Sequence, residues 1–382
     1  MADDTVPLTT TFNDPVGTTA QQDAIRDQLL SLINRAPEGS IIYGSIYKIT
    51  DSKVKDALLA ADQRGVLVKL IVDDDTVDIS GSQYRALADG LSTDLPAKRS
   101  WVLACPKGRG CIGNRAIGTG HAIDHNKFFL FSKVGSTENV IFQASANLTT
   151  AQRQTFYNNA VTIPDNGSGL FATYLAYFQD LKKYGSNGGN GLSTYYKTQQ
   201  SGPYKTYFMP RQESSGTTYS TDASTDTIVS LLGNVDCAGG ATQIRIGMYA
   251  FTRSQIADKL VELKKAGCRV ELVRNAEDGN YGTKVQGILA GKLTSLMRCD
   301  GTAQNADGTQ RIIGIHSKYM LIEGTYLGTA DRKLVFTGSH NYTYPSLRAY
   351  DETLLKIDNA AFYNSFKANF TNMQKSPYCT KE

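Results

Sequence analysis

The 382-residue chain contains no run near the ~18 uninterrupted apolar residues that a membrane helix needs, so an integral membrane segment is excluded. Its six cysteines include no CxxC pair, and no Cys/His cluster has zinc spacing, which argues against a structural metal. Nor is there a strong charge of either sign. The 40 Lys+Arg against 36 Asp+Glu give +4, which permits an anionic substrate but does not make a nucleic-acid-coating protein. The opening Met-Ala-Asp-Asp-Thr-Val-Pro has no basic n-region and no apolar h-region, and reads as a mature chain whose signal peptide is absent. Core-forming residues are present in quantity: 41% of the chain is hydrophobic and 20% charged, which excludes general disorder. The length alone suggests two or three domains, or one bilobal unit.

An even cysteine count with scattered spacing suits an oxidising compartment, and secretion is expected. Cys105 and Cys111 close a short polar loop and are expected to form a disulfide; the pairing of the other four stays open.

The chain repeats itself. Ile42-Tyr43-Gly44-Ser45-Ile46-Tyr47 is echoed by Ile244-Arg245-Ile246-Gly247-Met248-Tyr249, and Tyr47 to Tyr249 and Gly65 to Gly267 are both offsets of 202. An offset that survives a strand, a helix and a second strand argues for duplication of a long unit. Each unit reads αβαβ. Ile25, Leu29, Leu30 and Ile33 share one helical face, and the helix carrying Val54, Leu58 and Leu59 starts at a capping Asp51 and stops at Gly65. Short apolar strands alternating with helices predict an α/β fold of two repeated lobes related by a pseudo-twofold axis, with mixed, largely parallel sheets flanked by helices. The expected organisation is an N-terminal lobe (1–185), a linker with a Tyr-rich loop (186–210) and a C-terminal lobe (211–382).

All four histidines fall late in one repeat or the other. His125-Asn126-Lys127 opens an apolar strand and is followed by Ala144-Ser145-Ala146-Asn147; His316-Ser317-Lys318 opens another and is followed by Gly338-Ser339-His340-Asn341. Residues i and i+2 of an extended strand share a face, so each His lies beside its Lys. Two such units meeting across a twofold axis would gather two imidazoles, two ammonium groups and two Asn amides. The lysines and amides make a clamp for one tetrahedral anion, and the imidazoles can serve as nucleophile and general acid on opposite sides of phosphorus. Lysine supplies the charge that a metal supplies elsewhere, so neither metal nor cofactor is expected.

The duplicated His-x-Lys and Ser-x-Asn turns resemble the phospholipase D superfamily, whose signature is His-x-Lys-x4-Asp followed by Gly-Ser-x-Asn. The resemblance implies catalytic roles for His125, His316, Lys127, Lys318, Asn147 and Asn341, with Ser145 and Ser339 supporting them. It also implies that the N-terminal histidine forms a phosphohistidine and that the C-terminal one protonates the leaving alcohol. The chain departs from the signature at Ser132 and Glu323, which occupy the two acidic positions, and at Ala144, where Gly is usual. A further acidic position after the turn is Glu352 in the second half and Asn158 in the first, at the turn offset of 194. A carboxylate on Nδ1 favours imidazolium, whereas a neutral partner leaves Nε2 free to attack. Pairing within each half therefore makes His125, beside Asn158, the nucleophile and His316, backed by Glu352, the general acid. His340 lies at the variable position of the second turn, as a pocket or a structural residue. Asp124 is expected to face solvent or a cap, and residues 73–75 to form a solvated loop.

The expected reaction is phospholipase D hydrolysis of a glycerophospholipid head group, with transfer to an alcohol as a side reaction. Phospholipid at a membrane surface is then the partner, and Tyr-rich loops would suit that interface. The alternatives are a nuclease of the same superfamily, with nucleic acid as substrate, and a non-catalytic relative. Two copies in one chain complete the site without a dimer, so a monomer is expected.

Overall fold

A computed structural model describes residues 4–382 except 97, 119, 187–188, 277–278 and 306. Met1 to Asp3, read above as the start of a mature chain, lie outside the described residues, as does part of the Gly/Asn-rich break between the halves.

Each half builds one sheet in the same order. In the first half, Asn159–Pro164, Thr137–Ala144, Lys127–Val134, Ile41–Ile46, Leu67–Val72 and Trp101–Ala104 are successive neighbours. In the second, Glu352–Asp358, Thr329–Gly338, Lys318–Tyr326, Gln243–Met248, Arg269–Asn275 and Ser295–Cys299 repeat the order. Parallel pairing joins only the last three strands of each set, and the rest pair antiparallel. The sheets are mixed and flanked by helices, as expected, with parallel pairing confined to those three strands of each set. The cause is local: Gly135-Ser136, with Gly135 at φ 54°, turns Lys127–Val134 straight back into Thr137–Ala144, and a tight hairpin can only give antiparallel pairing.

Helices cover both faces. Asp51 caps Ser52–Gln63 through the amides of Lys53 and Val54, and Gly65 ends the turn beyond it at φ 84°. The equivalent helices Leu170–Gly185 and Ala360–Lys375 lie between the two sheets and unite the lobes. Phe128 and Leu130 pack inward with Tyr174, Phe178, Phe366 and Tyr319, while Phe129 and Phe131 pack on the outer helices. That alternation explains why the strands read as unbroken apolar runs: both of their faces are buried.

The Tyr-rich segment is a correction. It forms a hairpin, Lys197–Ser201 and Tyr204–Met209, added to the second sheet beside Glu352–Asp358. Tyr195, Tyr204 and Tyr207 are buried, and Tyr177 stacks on Phe208 at 4.1 Å, so these tyrosines form core and offer no membrane surface. The three disulfides are Cys105–Cys111, as expected, Cys237–Cys268 and Cys299–Cys379.

Candidate active site

The two lobes exchange backbone bonds where the histidines sit. The His125 N–H donates to the Asp351 carbonyl at 3.0 Å, and the His316 N–H to the Tyr157 carbonyl at 2.8 Å. Asp351 and Tyr157 are themselves 194 residues apart, the offset of the Ser-x-Asn turns. Each histidine is therefore anchored by the chain leaving the other lobe's turn. Pairing of Gly314–Ile315 with Phe156–Tyr157, and the bridge from Asp124 to Asp351, express the same exchange.

The side chains follow the backbone, and this overturns the pairing read from sequence. His125 Nδ1 lies 2.9 Å from Glu352 Oε1, across the lobe boundary. His316 Nδ1 lies 3.0 Å from the Ser145 carbonyl and 3.3 Å from Asn158 Oδ1. The carboxylate thus backs His125 and the amide backs His316, the reverse of pairing within each half. The turn serines hold these partners: Ser339 Oγ donates to Glu352 Oε2, and Ser145 Oγ donates to Asn158 Oδ1 at 2.9 Å. Asn158 Nδ2 also donates to the Gln152 and Phe156 carbonyls at 3.0 and 3.4 Å, so the amide at this position is fully used.

Both lysines are buried and each donates to its own histidine carbonyl, at 2.6 Å for Lys127 and 2.7 Å for Lys318. Lys318 Nζ is also 2.9 Å from His316 Nδ1. Aromatic rings flank each imidazole in equivalent positions: Tyr47 and Tyr350 beside His125, Tyr249 and Phe156 beside His316. Tyr47 and Tyr249 are the ends of the repeated strands, so the 202-residue offset already contained this signal. Tyr350 and Phe156, also 194 apart, lie outside any motif and were missed.

Burial governs the electrostatics. It holds both imidazoles well below their ordinary range, with Lys127 and Lys318 pushing the same way. It lowers Lys127 to about 7, against the pull of Glu352 and Asp124, and lowers Lys318 well below its usual value. Glu352 is pushed up to about 8 by burial, against the pull of Lys127 and Ser339. An arriving anion favours charged Lys127, and a cation on His125 favours ionised Glu352. Together they shift one proton from Glu352 to Lys127 without changing the number held.

The remaining expected residues divide. Asn341 Oδ1 accepts from the Ala250 N–H at 3.3 Å, and Asn147 Oδ1 is buried without a partner. His340 is buried with neither ring nitrogen partnered, and burial lowers it to about 4, so it stays neutral. Ser132 and Glu323 are corrections: five residues beyond their lysines, at ~3.3 Å per strand residue, they lie ~16 Å away. Ser132 Oγ accepts from the Ile41 N–H, and Glu323 binds Lys367, Tyr363 and Arg245 beside a central helix. Asp73 and Asp124 are corrected too. Both are fully buried; Asp73 accepts from the Asp124 N–H, and Asp124 accepts from Ser45 and Asn126. Among the described residues no group of His, Cys, Asp or Glu is arranged to hold a metal ion.

The family model described as "Cardiolipin synthase, PLD-like domain" matches residues 29–182 and 237–374, one stretch in each lobe. The chain belongs to this phospholipase D-like family. Its members share a fold that acts on phosphodiesters. No curated protein matches the sequence. Among solved structures, phosphatidylserine synthase of Haemophilus influenzae Rd KW20 superposes with a TM-score of 0.57 at 12% identity, over 99% of this chain and 90% of that one. Polyphosphate kinase from Porphyromonas gingivalis superposes with a TM-score of 0.55 at 12% identity. That match covers 96% of this chain but only half the length of the kinase. At these identities the likeness establishes the fold alone, and the phospholipase D-like chain must be read from its own site.

Proposed function

We propose that the protein is a phosphodiesterase that works through a phosphohistidine on His125 and acts as a phospholipase D on glycerophospholipids. The observation that carries this is the crossed pair of imidazoles, each tied at Nδ1 to the opposite lobe, with two buried lysines beside them. His125 Nε2 attacks phosphorus and the bond from phosphorus to the leaving alcohol breaks. The bound phosphodiester anion favours the His316 imidazolium, whose Nε2–H gives its proton to that alcohol oxygen and leaves the neutral Nδ1–H form. His316 then takes a proton from water or an acceptor alcohol, whose oxygen attacks phosphorus and releases His125. Lys127, Lys318, Asn147 and Asn341 hold the non-bridging oxygens.

The nucleophile assignment now rests on a different ground from that read in sequence. Attack leaves His125 a phosphorylated cation for the lifetime of the intermediate, and Glu352 offsets that charge. His316 is neutral only while the phosphohistidine stands, and its carbonyl and amide partners then fix the Nδ1–H tautomer, leaving Nε2 free to take the next proton.

A family model named for cardiolipin synthase supports a lipid substrate over nucleic acid. Three disulfides support secretion. The division into an N-terminal lobe of 1–185 and a C-terminal lobe of 211–382 joined by the 197–209 hairpin, acting as one monomer, belongs to the same proposal. Head-group release from phosphatidylcholine and phosphatidylglycerol vesicles, run beside plasmid nicking with EDTA, tests it. Lipid turnover without nicking is expected; metal-independent nicking with no lipid turnover would assign a nuclease, and neither activity would assign a binding protein.

A further inference from the structure

Phe156 does more than flank His316. It also forms part of the wall of an open cavity of about 830 Å³ at the junction of the lobes, with Thr155, Asn275, Asp300, Gln310 and Ile312. Asn275 is 2% exposed, and its two ends have different fates. Its Oδ1 accepts from the Ile315 N–H at 3.1 Å, bracing the residue that precedes His316. Its Nδ2 has no hydrogen-bond partner.

The first lobe shows what that position does when it serves structure alone. Asp73 is its equivalent at the 202-residue offset, and Asp73 Oδ2 accepts from the Asp124 N–H at 2.6 Å, bracing the residue before His125. The second oxygen of Asp73 is also used, by the Asp75 N–H at 3.0 Å. A carboxylate therefore meets every structural demand of the position. An amide adds one thing only, a buried donor, and a buried donor without an acceptor is costly to keep.

The lining says what the acceptor belongs to. Among the described lining residues the charged side chain, Asp300, is paired with Arg298 at 2.8 Å, so none of them offers an unpaired charge to a cationic head group. Thr155, Gln310 and Asn275 bring hydroxyl and amide groups, while Phe156 gives one apolar wall. Phe156, beside the His316 ring, and Asn275, which braces Ile315, place the cavity next to the chain that carries the general acid.

We infer that this cavity is the subsite for the departing or incoming alcohol, and that it selects an uncharged polyol whose hydroxyl oxygen accepts from Asn275 Nδ2. The inference rests on the phosphodiesterase reading above and names its alcohol. Asn275 is then a specificity-determining residue, absent from any motif of the sequence.

The test uses two lipids of equal charge in vesicles, phosphatidylglycerol and phosphatidylpropanol, which differ only in the hydroxyls of the alcohol. The intact protein is expected to favour phosphatidylglycerol in kcat/KM by roughly tenfold or more. Asn275→Asp keeps the acceptor for Ile315 and loses the donor, and is expected to bring that ratio near one. Because both lipids are anions of the same charge, any general repulsion by the new carboxylate cancels in the ratio. A wild-type ratio near one overturns the inference, and needs no variant that folds. An equal loss on both lipids in Asn275→Asp, with the preference kept, would place Nδ2 on the phosphate and overturns it too. Absence of turnover with every phosphodiester would instead refute the phosphodiesterase reading itself.

Discussion

Replacing Glu352 by Gln removes a charge and keeps a hydrogen-bond acceptor, and the crossed pairing predicts which half-reaction suffers. In the structure Oε1 is 2.9 Å from His125 Nδ1 and Oε2 accepts from Ser339, so a glutamine can occupy the same space. What it cannot do is offset the cation formed on His125 when phosphorus is attacked. At that distance and an effective dielectric of about 20, the pair is worth at most ~6 kcal/mol. The retained amide oxygen recovers part of this, so a loss of roughly 10²–10⁴ in single-turnover rate is expected, the upper end matching what an Asp→Asn change costs in a serine protease triad. The assay compares a phosphatidyl ester of an ordinary alcohol with one of p-nitrophenol, which leaves without needing a proton. Glu352→Gln should be as defective on the p-nitrophenyl ester as on the alkyl ester, because the nucleophile is impaired. His316→Ala should recover most of its loss on the p-nitrophenyl ester, because only the acid is missing. Rescue of Glu352→Gln by the good leaving group would place Glu352 behind the general acid and refute the reasoning.

Two further outcomes follow from the same groups. Asn158→Asp, which restores the family's usual residue type, should destabilise the protein rather than improve it. One carboxylate oxygen would face the Gln152 and Phe156 carbonyls in a fully buried position, at a cost of roughly 1–3 kcal/mol, read as a lower Tm. The pH profile of kcat/KM should peak between about 7 and 8. Activity rises with pH as Glu352 loses its proton and falls as the Lys127 ammonium is lost. Glu352→Gln should remove the acidic limb and leave the alkaline one; an acidic limb that survives the substitution would contradict the assignment.

Most of the fold was legible because duplication writes itself in offsets. Tyr47 with Tyr249 and Gly65 with Gly267 located matching strands and helix ends, and Asp51 and Gly65 behave as the cap and stop that they resemble. Parallel pairing is confined to three strands of each sheet because a turn as short as Gly135-Ser136 folds one apolar strand straight back on the next. The reactive side chains were legible from two His-x-Lys units, yet their partners were not. Pairing Glu352 with His316 followed from sequence proximity, whereas the turns cross between lobes and the partner of each imidazole is some 160 to 230 residues away. Ser132 and Glu323 sat in the right motif positions but at the far ends of strands, which a motif does not show. Asn275 carries no motif at all; its meaning emerges only when its free amide is set beside the fully bonded Asp73.

The central claim is that His125 carries the phosphoryl group, and acid-free rapid quenching of a reaction with phosphorus-labelled phosphatidylglycerol tests it most directly. The account predicts a labelled phosphoramidate on the peptide containing His125, stable to base and lost in acid, absent from His125→Ala and accumulating in His316→Ala with the p-nitrophenyl ester. Label on the His316 peptide, or full turnover by His125→Ala, would contradict it.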